Sequence, residues 1–319
     1  MEVVRRAAYA GKKLGEELDG WLRAARLTKS PDVRAIIAPH AGYMHAGSYA
    51  AYAFGNIDPA SFSRVFLLSP SHRYYTAKCA LTKATVYSTP VGDLRVDQEV
   101  LTTMFIFNRT LRCQHIHIMT LFCWFQSLKN STIQRNLNSW TLVSMKLNMA
   151  SKMLLPYLSK VFEGHTVKLV PVLIGSLDSE SEATYGQLLG KYLDDTKNLF
   201  VVSTDFCHWG SKYKYTYYDE NHGPIHKSIE ALDRIGMEII EVGNPSAFSQ
   251  YMQEYKNTIC GHHPISVFLH MLKNCLVKVK VKFIRYDQSS QCNAMEDSSV
   301  SYACAVGKVD PSGEDEKKE

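Results

Sequence analysis

Four short apolar runs along the chain each end in polar or small residues. They are VRAIIAPHAGY at 33–43, SRVFLLSPSHR at 63–73, VKLVPVLIGSL at 167–177 and NLFVVSTDFCHWG at 198–210. Short runs rich in Val, Ile and Leu and bounded by Pro or Gly are typical of buried strands. We therefore predict strands over Ala35–Ala38 and Val65–Leu68, and one strand in each of the other two runs.

The stretches between and beside these runs carry apolar residues at helical spacing. They lie at 15–27, 179–195 and 224–242. In the last of them the apolar side chains recur every three or four residues, at Ile225, Ile229, Leu232, Ile235 and Ile239. Alternation of strands and helices favours the α/β class, with a sheet that has helices on both of its faces.

Polar side chains that can carry chemistry follow the predicted strands. His40, His72, Asp205 and His208 all fall just past the end of a strand. Sheets of the α/β class bind ligands where strands end and loops begin. The positions of these four residues therefore predict a functional site at one end of the sheet.

Composition and charge are those of an ordinary globular protein and narrow the possible partners. Of the 319 residues, 45% are hydrophobic and 21% are charged, and the formal net charge is +5. We find no basic stripe interleaved with aromatic residues, so we expect no nucleic-acid partner. No apolar run approaches the roughly 18 residues of a membrane span, so we expect no membrane insertion.

The first 21 residues indicate where the protein resides. They lack the apolar core of a secretion signal and carry Glu16, Glu17 and Asp19. We expect a cytoplasmic protein, with the nucleus as a second compartment.

The segment NTICGHHP at 257–264 sets Cys260 just ahead of His262 and His263. The eight cysteines include no C-x-x-C pair, which argues against a zinc ribbon. Together with His40 and His72, this segment offers the imidazole and thiolate ligands that suit Zn, Cu or Fe. A nucleophilic Cys260 activated by a histidine, and plain buried thiols with hydrogen-bonded loop histidines, remain open as alternatives.

The pair Asp205 and His208 in STDFCHWG has two interpretations. An Asp–His pair can orient a metal ligand or serve in acid–base chemistry. Asp205 can equally cap the turn that follows it. The residues alone do not decide between these roles.

The motifs IIAPHAGY, LLSPSHR, VVSTDFCHWG, YYDE, NTICGHHPI and SSVSYA, taken together, resemble those of the Memo family, the mediators of ErbB-driven cell motility. The resemblance implies a single domain with a central mixed sheet and helices on both faces, similar to LigB-type class III extradiol dioxygenases. The resemblance covers roughly Val33–Val100 and Glu163–Gly307, and we place the domain over 1–309. The charged, Pro- and Gly-containing composition of 310–319 predicts a disordered tail.

The resemblance also implies a site. The metal ligands would be His40, His72 and Cys260, the metal would be copper or iron, and Asp205 and His208 would stand beside them as candidate catalytic residues. Cysteine in place of a carboxylate puts classical dioxygenase activity in doubt.

The same resemblance implies a role. It indicates a signalling adaptor that relays receptor tyrosine kinase signals to the cytoskeleton and cell migration. Its partners would be phosphotyrosine peptides, bound in the metal pocket, and cytoskeletal regulators. The alternative is a metal-dependent oxidoreductase related to extradiol dioxygenases.

One region departs from both the composition and the family pattern. From Val100 to Phe162 the chain has no Asp or Glu. Where the family carries Glu-His-x-Ile-Glu-Met ahead of Leu-Pro-Tyr, this chain reads Asn-Met-Ala-Ser-Lys-Met at 148–153. Codons for these residues, read in a shifted frame, encode His-Gly-Ile-Glu. We therefore treat 100–155 as anomalous and hypothesise that much of 103–152 is out of frame.

Overall fold

A central sheet runs through the part of the chain that the computed structural model describes, residues 11–72, 75–110, 141–143 and 149–310. Its strands are β1 (Val33–Ala38), β2 (Arg64–Pro70), β3 (Ala80–Thr82), β4 (Val86–Thr89), β5 (Gly92–Val96), β6 (Thr141–Val143), β7 (Lys168–Ile174), β8 (Asn198–Ser203), β9 (His208–Trp209), β10 (Val279–Gln288) and β11 (Ser299–Val309). The α-helices are α1 (Gly11–Ala25), α2 (Ser48–Phe54), α3 (Gln98–Thr110), α4 (Met149–Val161), α5 (Ser179–Leu193), α6 (Ile225–Val242), α7 (Pro245–Tyr255) and α8 (His262–Asn274).

The sheet is mixed, with a parallel centre. Its strands lie in the order β10-β11-β1-β8-β2-β7-β3-β6. Strands β1, β8, β2 and β7 are parallel to one another. Strands β10 and β11 continue the sheet antiparallel beside β1, and β3 pairs antiparallel with β7. The α/β class with a central mixed sheet, expected from the sequence, is confirmed.

The four predicted strands form this parallel centre. Every residue of β1 and β8 is buried, as are all residues of β2 and β7 after the first. Strands buried on both faces have continuous apolar runs rather than alternating ones. That is why short unbroken runs at 33–43, 63–73, 167–177 and 198–210 mark the middle of the sheet.

Two groups of helices cover the central strands. Helices α1, α2 and α4 contact one another, and α4 also packs on β2 and β8. Helices α5 and α8 form the second group, and α8 packs on the same two strands and also contacts α7. Because the side chains on both faces of β8 are buried, the two groups lie on opposite faces of the sheet.

The predicted helices at 15–27, 179–195 and 224–242 are present as α1, α5 and α6. Helix α5 begins after Asp178, whose carboxylate accepts a hydrogen bond from the Ser181 N–H. Helix α6 ends at Gly243, which has a left-handed φ of 76° and closes the last turn. Local capping residues therefore set these ends.

The hairpin of β10 and β11 was not predicted. Strand β10 lies at the edge of the sheet, and its register shifts between Phe283 and Arg285. Glu241 of α6 accepts a hydrogen bond from the Phe283 N–H and pairs with Lys282. Charged side chains and bulges protect an edge strand from pairing with other chains, and they also break the apolar run that would have indicated a strand.

A buried acidic residue anchors the end of the sheet where the parallel strands begin. Asp97, which is 1% exposed, caps α3 by accepting a hydrogen bond from the Val100 N–H. It also accepts one from Arg64 Nε at 2.9 Å, and Lys168 Nζ lies 3.9 Å away. Burial opposes ionisation of Asp97, but the Arg64 and Val100 hydrogen bonds and the two cationic charges outweigh it and lower the pKa of the carboxyl.

We expect Asp97→Ala to lower the free energy of unfolding by about 2–3 kcal/mol at neutral pH, because it breaks a buried ion pair that is partly solvated on the Arg64 side. A lowered pKa in the folded state stabilises the protein above the unfolded value of 3.8 and ceases to do so as the pH falls. Urea unfolding at several pH values checks this. A destabilisation that persists undiminished at acid pH would contradict it.

Two expectations fall wholly or partly outside the described residues. Of the hypothesised out-of-frame segment 103–152, only 103–110, 141–143 and 149–152 are described. Of the predicted tail 310–319, only Asp310 is described, and its carboxylate pairs with Lys280 at 2.8 Å. Within the described ranges, no helix combines the length and apolar character needed to cross a membrane.

Candidate metal centre

Three strand ends meet at one edge of the sheet. Strands β1, β8 and β2 are parallel neighbours, so their carboxyl ends lie side by side. His40 follows β1, Asp205 follows β8 and His72 follows β2, each at the second position after its strand. The topology therefore brings together side chains that are far apart in the sequence.

Cys260 reaches the same place from the turn that precedes α8. Its N–H donates to the Asp205 carbonyl at 3.3 Å, and the Asp205 N–H donates to Cys260 Sγ at 3.1 Å. The next residue, Gly261, donates its N–H to Thr204 Oγ1 at 3.0 Å. A Cβ on Gly261 would lie 2.5 Å from the Ser203 carbonyl oxygen, so this close approach requires glycine.

Side-chain atoms of His40, His72 and Cys260 converge on one point. His40 Nε2 lies 3.0 Å from His72 Nε2 and 3.2 Å from Cys260 Sγ. The three possible ligand atoms all lie within 4.8 Å of one another. A second group, Asp205, His208 and Cys260, meets the same limit, so Cys260 is common to both.

Hydrogen bonds to Ser203 and Asp205 fix the position of His40. Its Nδ1 lies 2.8 Å from Ser203 Oγ, and its backbone N–H donates to Asp205 Oδ1 at 2.8 Å. With the Nδ1 proton directed at Ser203, the Nε2 lone pair is free to face His72 and Cys260. Metal-binding histidines are oriented by a hydrogen bond of this kind on the other ring nitrogen. Ser203 was not singled out from the sequence.

Both imidazoles are neutral at physiological pH. His40 is 6% exposed, and burial lowers its pKa despite the opposing charge of Asp205. Burial and the neighbouring His40 lower the pKa of His72 to about 4. A neutral imidazole offers the lone pair that a metal ion needs.

The thiol of Cys260 is protonated in this environment. Burial of the sulphur, reinforced by the Asp205 carboxylate, raises its pKa well above the ordinary value. A metal ion that binds here must therefore displace the thiol proton. Two neutral imidazoles and one thiol form a donor set for a soft or borderline metal such as copper, iron or zinc.

The separations are compatible with a metal ion at the point of convergence. Ordinary metal–nitrogen and metal–sulphur bonds place tetrahedral ligand atoms about 3.3–3.6 Å apart. The observed separations of 3.0 and 3.2 Å are a few tenths of an ångström shorter. The three residues thus fit a metal after a small outward movement of the side chains.

His208 belongs to the second group with Cys260 and is fixed by backbone groups. Its Nδ1 lies 2.9 Å from the Phe206 carbonyl and 3.1 Å from that of Thr258. An Nδ1 proton directed at these acceptors leaves Nε2 as the free lone pair. Tyr213 packs edge-on against the ring, with the ring centroids 5.2 Å apart.

The two histidines that follow Cys260 and Gly261 in the sequence have other partners. His262 Nδ1 lies 2.9 Å from the Ile259 carbonyl, and His263 Nδ1 lies 2.6 Å from the Glu182 carboxylate. Neither belongs to the groups of potential ligands found among the described residues. Proximity in the chain is therefore a poorer guide to this site than position at a strand end.

Comparison with known proteins places the chain among related sequences. The sequence model of a family described as "Memo-like protein" matches residues 7–118 and 138–306. "Protein MEMO1" of Xenopus tropicalis is 43% identical over 305 residues, which cover 93% of this chain and 92% of that protein. Human "Protein MEMO1" is 41% identical over 320 residues, covering 95% and 97%.

A more distant relative and one solved structure are also similar. The "Protein memo-1 homolog" of Caenorhabditis elegans is 35% identical over 323 residues, covering 97% of this chain and 84% of that protein. The crystal structure of an uncharacterized protein from Escherichia coli K12 has a TM-score of 0.41 and 12% identity, covering 85% of this chain and 99% of that one.

Proposed function

The chain belongs to the Memo-like protein family, and from that membership and the pocket geometry we propose that it is a metal-binding signalling adaptor. His40, His72 and Cys260 hold the metal, which is copper or iron. The adaptor relays receptor tyrosine kinase signals to regulators of the cytoskeleton and of cell migration. It works in the cytoplasm, with the nucleus as a second location.

The observation that carries the metal proposal is the convergence of three donor atoms from three separate segments. Nε2 of His40, Nε2 of His72 and Sγ of Cys260 lie within 4.8 Å of one another. The three residues are far apart in the sequence, and it is the fold of the sheet that brings them together. Both imidazoles are neutral, as ligands must be. When bound, the metal supplies a Lewis-acidic or redox-active centre at the pocket.

The adaptor proposal concerns the exposed side of the same site. His72 is exposed, and the segments that carry the two histidines also present Met44 and Tyr75, which are 84% and 83% exposed. Exposed apolar residues that follow the pocket histidines by a few positions in the chain suit a peptide ligand. A phosphotyrosine phosphate needs N–H donors. With Nε2 of His72 facing the metal, the Nδ1 of this exposed imidazole carries the proton and is the candidate donor.

We expect a tyrosine-phosphorylated peptide to bind at least about tenfold more tightly than its unphosphorylated form, because the phosphate accepts charge-assisted hydrogen bonds. Titration of one peptide pair, with metal-loaded and with metal-free protein, checks this. His72→Ala should remove the preference for the phosphorylated form.

The matched control is His165→Ala. His165 is exposed and precedes β7, at the opposite end of the parallel strands, so its loss should leave binding unchanged. Equal affinity for both peptides, or an equal loss in the two variants, would contradict the proposed binding site.

The second candidate is a metal-dependent oxidoreductase. The observation that favours it is the second group at Cys260, where Asp205 and His208 stand close enough to serve as acid–base residues. Oxygen uptake with catechol-like substrates, by copper- or iron-loaded protein, tests this candidate. Turnover that falls in Asp205→Asn and His208→Gln at unchanged metal content supports the enzyme, and absence of turnover contradicts it.

A further inference from the structure

Two segments that carry the pocket residues are hydrogen-bonded along their length. The first, 204–208, contains Asp205 and His208, and the second, 257–261, contains Cys260. The His208 N–H donates to Thr258 Oγ1 at 2.7 Å, and that hydroxyl donates to the His208 carbonyl at 3.0 Å. The Cys260–Asp205 hydrogen bonds described above also join these segments. The relative position of the two segments therefore determines where Cys260 lies with respect to Asp205 and His208.

A carboxylate outside the pocket binds both segments. Asp233 lies in α6 and is 0% exposed. Its Oδ1 accepts a hydrogen bond from the Cys207 N–H at 3.3 Å and another from the Asn257 side-chain amide at 3.0 Å. Its Oδ2 accepts one from the Tyr286 hydroxyl at 3.0 Å. A single oxygen atom therefore joins 204–208 to 257–261.

Burial of the Asp233 carboxylate opposes its ionisation and so costs folding free energy. Its donors, which also include the Ser301 hydroxyl, are neutral groups, and burial raises its pKa to about 6 despite them. The buried face of α6 is otherwise mostly apolar and includes Ile229, Leu232 and Ile240. Burial of a carboxylate without an opposite charge beside it lowers the stability of the fold, unless hydrogen bonds offset the cost of removing the charge from water.

We propose that Asp233 is a positioning residue of the metal centre. Its Oδ1 fixes the 204–208 segment against the 257–261 segment, and so sets where Cys260 stands relative to Asp205 and His208. This role rests on the proposed function, because it presupposes that His40, His72 and Cys260 bind a metal. Asp233 touches no metal ligand itself and acts through Cys207 and Asn257.

Three variants separate positioning from general stability. Asp233→Ala removes the shared acceptor. Asp233→Asn keeps an oxygen for Cys207 and Asn257 and turns a donor toward the Tyr286 hydroxyl. Asp97→Ala removes another buried carboxylate that also has several partners, but at the opposite end of the parallel strands.

Titration with Co²⁺ measures the affinity of the pocket, and the thiolate-to-cobalt absorption band reports the bond to Cys260. We expect Asp233→Ala to weaken Co²⁺ binding about 10- to 100-fold and to shift or weaken the band, as loss of an orienting partner does at metal sites. Asp233→Asn and Asp97→Ala should stay within about threefold of the unmodified protein. Equal Co²⁺ affinity in the two alanine variants would overturn the proposal.

Amide hydrogen exchange of the metal-free variants gives a second readout that does not depend on metal binding. Peptides that cover 204–208 and 257–261 should exchange at least about tenfold faster in Asp233→Ala than in Asp97→Ala, and Asp233→Asn should restore slow exchange. Equal exchange in the two alanine variants would overturn the positioning role. If the unmodified protein shows no cobalt band, the proposed metal site fails, and the exchange result still decides the role of Asp233.

Discussion

Replacement of Cys260 by serine is expected to abolish the thiolate-to-cobalt band and to weaken Co²⁺ binding at least about 100-fold. Thiolate is the soft ligand of the set, and a hydroxyl is a far poorer ligand that keeps its proton at neutral pH. His40 and His72 would remain, but two imidazoles alone leave the metal largely solvated. Absorption titration of the purified protein measures both effects.

The control is Cys275→Ser, at the other end of α8. The Cys275 thiol donates to the carbonyls of Leu272 and Val277, which a serine hydroxyl can also do, so the fold should be unaffected. Affinity and absorption should match those of the unmodified protein. Retention of the cobalt band in Cys260→Ser would show that another thiol holds the metal.

Phe200→Ala is expected to lower the free energy of unfolding by about 4 kcal/mol, the largest stability effect that we anticipate. Phe200 lies in the middle of β8 and is 0% exposed, and its ring stacks on that of Phe66 with centroids 4.6 Å apart. Truncation removes buried apolar area and leaves a cavity that close-packed neighbours fill only in part. Urea unfolding with an unchanged denaturant slope measures the loss.

Val242→Ala serves as the comparison for this effect. Val242 ends α6 and is 79% exposed, so the same kind of truncation should change stability by less than about 0.5 kcal/mol. A loss below about 1 kcal/mol for Phe200→Ala would contradict the close packing of this side chain in the core.

The parallel centre of the sheet could be predicted from the sequence because its burial on both faces leaves a direct pattern. Strands β1, β2, β7 and β8 are continuous apolar runs, and the candidate site residues His40, His72 and Asp205 follow closely after three of them. The lateral order of the strands leaves no such pattern. It was the order β1-β8-β2 that placed His40, Asp205 and His72 side by side.

The residues that support the pocket were not predictable for a related reason. Ser203 orients His40 through a hydroxyl inside a buried strand, where sequence shows only an ordinary strand end. Asp233 occupies a helical position that follows the apolar Leu232, and its partners in the two pocket segments, Cys207 and Asn257, are 26 and 24 residues away in the chain. Such contacts depend on tertiary packing, so no local spacing indicates them.

The most direct test of the metal site is a crystal structure of the copper-loaded protein, with anomalous diffraction recorded at the copper absorption edge. We expect one strong anomalous peak within bonding distance of His40 Nε2, His72 Nε2 and Cys260 Sγ. A peak bound instead by His262 and His263, or a fully loaded protein with no peak among the three predicted atoms, would contradict the proposed metal centre.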